Sequence, residues 1–124
     1  MKLRLLLAED EPDIQLVART SLWRADFDVS VASDGLEAVI KAAELHPAVV
    51  LLDWMMPGMD GLEACKRLKA DPATADIPVI FLTAKTQESE IQQGLALGAV
   101  GYITKPFDAL TLGARVRELM HAGS

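Results

Sequence analysis

Three stretches of this chain run apolar and stop at a polar residue. They are Leu5-Leu6-Leu7-Ala8 before Glu9-Asp10, Val49-Val50-Leu51-Leu52 before Asp53, and Val79-Ile80-Phe81-Leu82 before Thr83; a fourth, Tyr102-Ile103-Thr104, stops at Lys105-Pro106. Unbroken apolar runs of this length predict strands buried on both faces of a parallel sheet. Between them the period changes to that of a helix: behind Pro12, Ile14, Val17, Ala18, Ser21 and Leu22 recur at helical spacing. The pattern predicts further strands at 28–32, 48–53, 77–83 and 100–104. Helices are expected from Gly35 to near His46, from after Gly61 to Ala70, from Gln87 to Leu97 and from Asp108 to Met120. Strand and helix therefore alternate five times with short connections, as in an alternating β/α domain.

In such sheets ligands bind outside the carboxyl ends of the strands, where the polar residues stand. Asp10 and Asp53 side by side would repel unless a cation lay between them. Magnesium suits the pair, because it takes oxygen ligands and is held by one or two carboxylates plus phosphate oxygens. Glu9 can add charge or hold a metal-bound water. A charge that ends an apolar run, as Asp53 does, is costly without a partner. Thr83 can donate to a phosphoryl oxygen, and Lys105 can neutralise one or pair with Asp53 and keep it ionised for nucleophilic attack. Each residue alone has a plainer reading: a solvated acidic turn, a strand-end threonine, a structural ion pair. Their joint occurrence is what points to a phosphoryl site.

Composition narrows the field. Half of the 124 residues are apolar, the net charge is −6, and no basic stripe exists, which argues against direct nucleic-acid binding. Lys66-Arg67-Lys69 and Arg115-Arg117 read as solvated helix faces. The single cysteine, Cys65, excludes an internal disulfide and a cysteine-built zinc site, and its helical spacing from Leu62 and Leu68 predicts a buried, inert thiol. The apolar start is broken by Arg4 and ended by acids, unlike a secretory signal, and no run approaches membrane-spanning length. A cytoplasmic protein with no membrane contact is expected.

The acidic turn Glu9-Asp10-Glu11-Pro12, Asp53 with Met56-Pro57-Gly58-Met59-Asp60-Gly61, Thr83-Ala84, Gly98-Ala99 and Tyr102 ahead of Lys105-Pro106-Phe107 together resemble the receiver domain of bacterial two-component response regulators. The resemblance covers essentially the whole chain. It implies a doubly wound (βα)5, flavodoxin-like α/β fold with a five-stranded parallel sheet in the order 2-1-3-4-5. It also implies one receiver domain over residues 1–120, with 121–124 a frayed tail or the end of the segment. Asp53 would accept a phosphoryl group from a sensor histidine kinase or a histidine phosphotransfer protein. Magnesium would be bound by Asp10 and Asp53, by Glu9 through water and by the Met55 backbone carbonyl. Thr83 and the Ala84 backbone would contact the phosphoryl group, Lys105 would pair with it, and the bond before Pro106 would be cis. Glu9 stands where aspartate is commoner, and Met55 and Lys85 occupy positions thought to tune the lifetime of the phosphorylated state.

Phosphorylation adds about −1.5 to −2 charges. In the resembling family Thr83 would turn toward them and Tyr102 would fill the space vacated beneath the fourth helix. The signal would be relayed through the fourth helix, fifth strand and fifth helix to a downstream protein, a fused output domain or a homodimer partner. The fourth helix looks soft, being polar and carrying Gly94 internally. The acids that support one dimer type are missing before Tyr102, where Val100-Gly101 stand. No enzymatic output is expected beyond self-phosphorylation and loss of the phosphoryl group. Competing readings are the regulatory end of a longer DNA-binding or enzymatic protein, and a magnesium-dependent phosphohydrolase acting in trans. Against the latter, Met55 occupies the position where that family usually has a second aspartate. A flavin carrier of the same fold is disfavoured by acids where a phosphate loop would be.

Overall fold

The computed structural model describes residues 2–84 and 88–122. Five strands form one parallel sheet: β1 (Leu3–Ala8), β2 (Phe27–Ala32), β3 (Val49–Asp53), β4 (Val79–Thr83) and β5 (Gly101–Thr104), in the order β2-β1-β3-β4-β5. This is the doubly wound, flavodoxin-like order. The helices are α1 (Pro12–Arg24), α2 (Gly35–Leu45), α3 (Gly61–Ala70), α4 (Glu88–Ala96) and α5 (Leu112–Ala122).

Both sheet faces are covered, which is why the strand sequences are apolar at consecutive positions rather than alternating. Leu5, Leu7, Leu51, Ile80 and Leu82 pack with Ala18 and Leu22 of α1 and Leu112 and Val116 of α5. Leu6, Ala8, Leu52 and Phe81 face the other way, toward Ala38 and Ala42 of α2 and Ala64, Cys65 and Leu68 of α3. Cys65 is buried as expected, and burial pushes its thiol up to about 11, with the charge of Lys69 acting the other way.

Helix starts follow local chemistry. Asp34 accepts a hydrogen bond from the Glu37 amide at 2.8 Å, and Asp60 one from the Glu63 amide at 2.9 Å, both as N-caps. Pro12 opens α1, where its missing N–H costs nothing. Two helices come within contact distance of other elements because of glycine. A Cβ on Gly94 of α4 would lie 2.6 Å from Phe81, and one on Gly113 of α5 would lie 2.1 Å from the Ala25 side chain. At the outer edge of the sheet, Lys41 Nζ of α2 donates to the Val31 carbonyl of β2 at 2.6 Å.

Several expectations shift. The last helix begins at Leu112, not Asp108: the Asp108 carboxylate takes the Leu110 amide at 2.8 Å and its carbonyl the Thr111 amide at 3.1 Å, which closes a turn first. It also runs on to Ala122, past Met120. The fourth strand starts at Val79 rather than Ile77, after Pro78, which has no N–H for a ladder. Lys69 is not a solvated charge, since its ammonium donates to the Ala75 and Ile77 carbonyls at 3.1 and 2.7 Å. Arg117 likewise donates to the Ala25 carbonyl at 2.7 Å and lies over the Phe27 ring. Lys85, expected near the site, and Gln87, expected to open the fourth helix, lie outside the described residues, as do Gly123 and Ser124 of the expected tail.

Candidate functional site

The parallel register brings the polar strand ends to one edge. Asp53 closes β3 and Thr83 closes β4, beside Thr104 of β5. The Lys105 amide donates to the Thr83 carbonyl at 2.8 Å, which continues the ladder to Lys105. The Lys105–Pro106 peptide is cis. Glu9 and Asp10 follow β1, which lies against β3.

These elements place Lys105 Nζ 2.6 Å from Glu9 Oε1 and 3.1 Å from Asp53 Oδ2. Carboxylate oxygens of Glu9, Asp10 and Asp53 all lie within 4.8 Å of one another. Glu9 and Asp53 are buried, while Asp10 is exposed. Glu9 Oε2 accepts the Glu11 amide at 3.1 Å, and Oε1 faces the Lys105 ammonium. The Met55 amide approaches Asp53 Oδ1 at 3.4 Å, and the Met55 side chain is 62% exposed at the mouth of the site.

One ammonium serving two buried carboxylates drives their pKa values apart. Burial pushes the Asp53 carboxyl up to about 7, reinforced by neighbouring Glu9 and opposed by Lys105. Burial also acts to raise Glu9, but bonds from Lys105 and the Glu11 amide outweigh it and hold Glu9 below the usual carboxylate range. Burial acts to lower Lys105, yet its bond to Glu9 and the charge of Asp53 raise it on balance.

Ionised, the three carboxylates and Lys105 leave two negative charges uncompensated, the charge of one divalent cation. The donor set is all oxygen and partly buried, which fits magnesium. Glu9, Asp10, Asp53 and Lys105 are brought together as the sequence led us to expect. Thr83 is buried at the adjoining strand end, and Ala84 is exposed in a hollow walled by Ile14, Val17, Lys105, Pro106 and Phe107. Tyr102 stands apart, 37% exposed on β5.

Two contacts had gone unseen in the sequence. One is the Glu9–Lys105 pair, since Lys105 was paired only with Asp53 or a phosphoryl group. The other is a bond from the Gln15 side-chain amide of α1 to the Glu9 carbonyl. Its only sequence signal is a long amide donor on the first turn of the helix that follows the acids.

An open parallel sheet in this order, with acids, a threonine and a lysine at its carboxyl edge, is the frame of a phosphorylation-controlled signalling switch. The model of the response regulator receiver domain matches residues 5–117, and the chain belongs to that family, whose members are switches rather than classical enzymes. It is 43% identical over 117 residues to the DNA-binding dual master transcriptional regulator RpaA of Synechocystis sp., covering 94% of this chain and 48% of RpaA. Similarity to the phosphate regulon transcriptional regulatory protein PhoB of Rhizobium meliloti is 40%, over 94% of this chain and 52% of PhoB. The chain thus spans about half the length of these relatives. Among solved structures, the chemotaxis protein CheY4 of Vibrio cholerae superposes with a TM-score of 0.90 at 30% identity, covering 96% of this chain and 99% of that one.

Proposed function

We propose that Asp53 is the phosphoryl acceptor of this switch. Its carboxylate oxygen attacks the phosphorus of a phosphohistidine on a sensor kinase or histidine phosphotransfer protein; the new O–P bond forms as the N–P bond breaks, and the imidazole leaves with a proton. The observation that carries this reading is the convergence of Asp53 with Lys105 at 3.1 Å and with two further carboxylates within 4.8 Å. Glu9, Asp10, Asp53 and the Met55 carbonyl would hold magnesium, which when bound offsets charge on the transferring group. Lys105 exchanges Asp53 for a phosphoryl oxygen, Thr83 and the Ala84 amide supply donors, and burial of Asp53 restricts water. Loss of the group by hydrolysis is the only other chemistry we assign.

Support for a protein donor comes from the apolar surroundings. Exposed Leu16, Val17 and Leu110 line a hollow between α1 and residues 109–114, and Val17 also borders the hollow beside Lys105, a surface that a donor helix can cover. Thr83 and Tyr102 would then carry the change to α4, β5 and α5, and from there to a downstream protein, an output domain or a second copy. The receiver unit takes in residues 1–120 with the end of α5. Because the relatives are about twice as long, we read the chain as the regulatory part of a larger regulator. A cytoplasmic setting belongs to the same proposal; no helix among the described residues is long and apolar enough to cross a membrane.

Intact-mass measurement after incubation with acetyl phosphate tests the reading. One added phosphoryl group is expected with magnesium, and none with a chelator or in Asp53→Asn. Equal labelling of Asp53→Asn would move the acceptor elsewhere.

A further inference from the structure

The turn between β1 and α1 is only three residues long, Glu9 to Glu11, and Glu9 is held in it at several points. Its amide donates to the Ala32 carbonyl at 3.0 Å, its Oε2 accepts the Glu11 amide, and its carbonyl accepts the Gln15 side-chain amide. Gln15 itself is anchored, since its backbone amide donates to the Glu11 carbonyl at 3.0 Å in the first turn of α1. Asp10 is the contrast. It is exposed, and its carboxylate has no hydrogen-bond or ion-pair partner among the described residues, although an oxygen lies within 4.8 Å of those of Glu9 and Asp53. Its own contacts do not aim it.

The Glu9 carbonyl and the Asp10 nitrogen belong to one planar peptide unit. A donor that fixes that carbonyl therefore fixes where the Asp10 Cα lies, the point from which its side chain sets out. We propose that Gln15 is a positioning residue for the metal site: its side-chain amide clamps the Glu9 carbonyl and so directs the Asp10 carboxylate toward Asp53. The inference rests on the magnesium reading above. Gln15 touches neither the cation nor the phosphoryl group; it acts through Asp10. Partners that orient ligands from behind commonly govern metal affinity by 10- to 100-fold. One hydrogen bond to a backbone carbonyl belongs at the lower end of that range.

Gln15→Met keeps the length of the side chain and removes the donor. Gln15→His places a ring Nε2–H at about the same reach and retains it. Magnesium chloride titrated by calorimetry at pH 8 should bind Gln15→Met on the order of 10-fold more weakly than wild type, and Gln15→His within about 2-fold of it. Urea unfolding without metal checks that each variant is folded; a purely structural role would lower that midpoint and leave magnesium affinity unmoved. An unchanged affinity in Gln15→Met overturns the clamp, and so does an equal loss in Gln15→His. Wild type that fails to bind magnesium, or Asp10→Asn that binds it as tightly as wild type, removes the metal reading and the clamp with it. Tight binding by wild type, none by Asp10→Asn and no effect at Gln15 would leave the metal site standing without the clamp.

Discussion

The proposed acceptor carboxyl, that of Asp53, is held in a state that its own chemistry must overcome. A carboxyl whose pKa is about 7 in the folded chain, against about 3.9 when unfolded, keeps its proton more tightly when folded. Its contribution to stability is full below about pH 4 and is lost as pH rises to about 7. Without metal, Asp53→Asn should therefore be more stable than wild type at pH 8, with the difference shrinking toward pH 5 in urea titrations. Magnesium should erase most of the gap at pH 8 by compensating the ionised carboxylates. A gap that widened on acidification would contradict the assigned direction. Because the nucleophile is the carboxylate, labelling by acetyl phosphate should also quicken between pH 6 and 8. That Glu9 takes the closer contact with Lys105 cannot be read from residue types, because aspartate and glutamate look equivalent on paper.

Among the elements, the central strands β3 and β4 are the most legible part of the chain, because coverage on both faces leaves them apolar up to Asp53 and Thr83. The start of α5 was misplaced because Asp108 is as good a turn former as it is a helix cap, and its sequence does not choose between them. Lys69 and Arg117 were misread as solvated for a related reason: their acceptors are loop carbonyls, which have no side-chain signature. Gly94 teaches a different lesson. Its absence of a side chain lets α4 sit against Phe81 and the edge of Trp54, whose rings are 4.8 Å apart. The helix next to the site is thus seated closely on Trp54, the residue that follows Asp53. Alanine at this position gains about 1 kcal/mol of helix propensity but must displace the Phe81 ring, and overpacking of this kind costs about 1–3 kcal/mol. Gly94→Ala should therefore lower the urea midpoint and shift Trp54 emission. A raised midpoint would mean that softness, and not close seating, is what the glycine provides.

Over the whole molecule, the sheet gathers its chemistry at one end and leaves its two flanks to be protected by other means. On the β2 flank, the bond from the Glu9 amide to the Ala32 carbonyl turns that carbonyl inward toward β1. Carbonyls one residue away in a strand point the opposite way, so Val31 offers its oxygen outward, where Lys41 covers it. Uncovered strand edges are templates for pairing with another chain, and lysine is a recurrent guard against this. Lys41 also pairs with Glu37 at 3.2 Å, which keeps the ammonium over the edge. Lys41→Met should leave magnesium binding intact while raising light scattering during prolonged incubation at high concentration. Lys41→Arg should stay clear, and equal scattering from all three proteins would remove the guard. A signalling module of this kind must meet its partners through chosen surfaces, and one ammonium over one carbonyl blocks a pairing position on the flank through which copies could otherwise join without any signal.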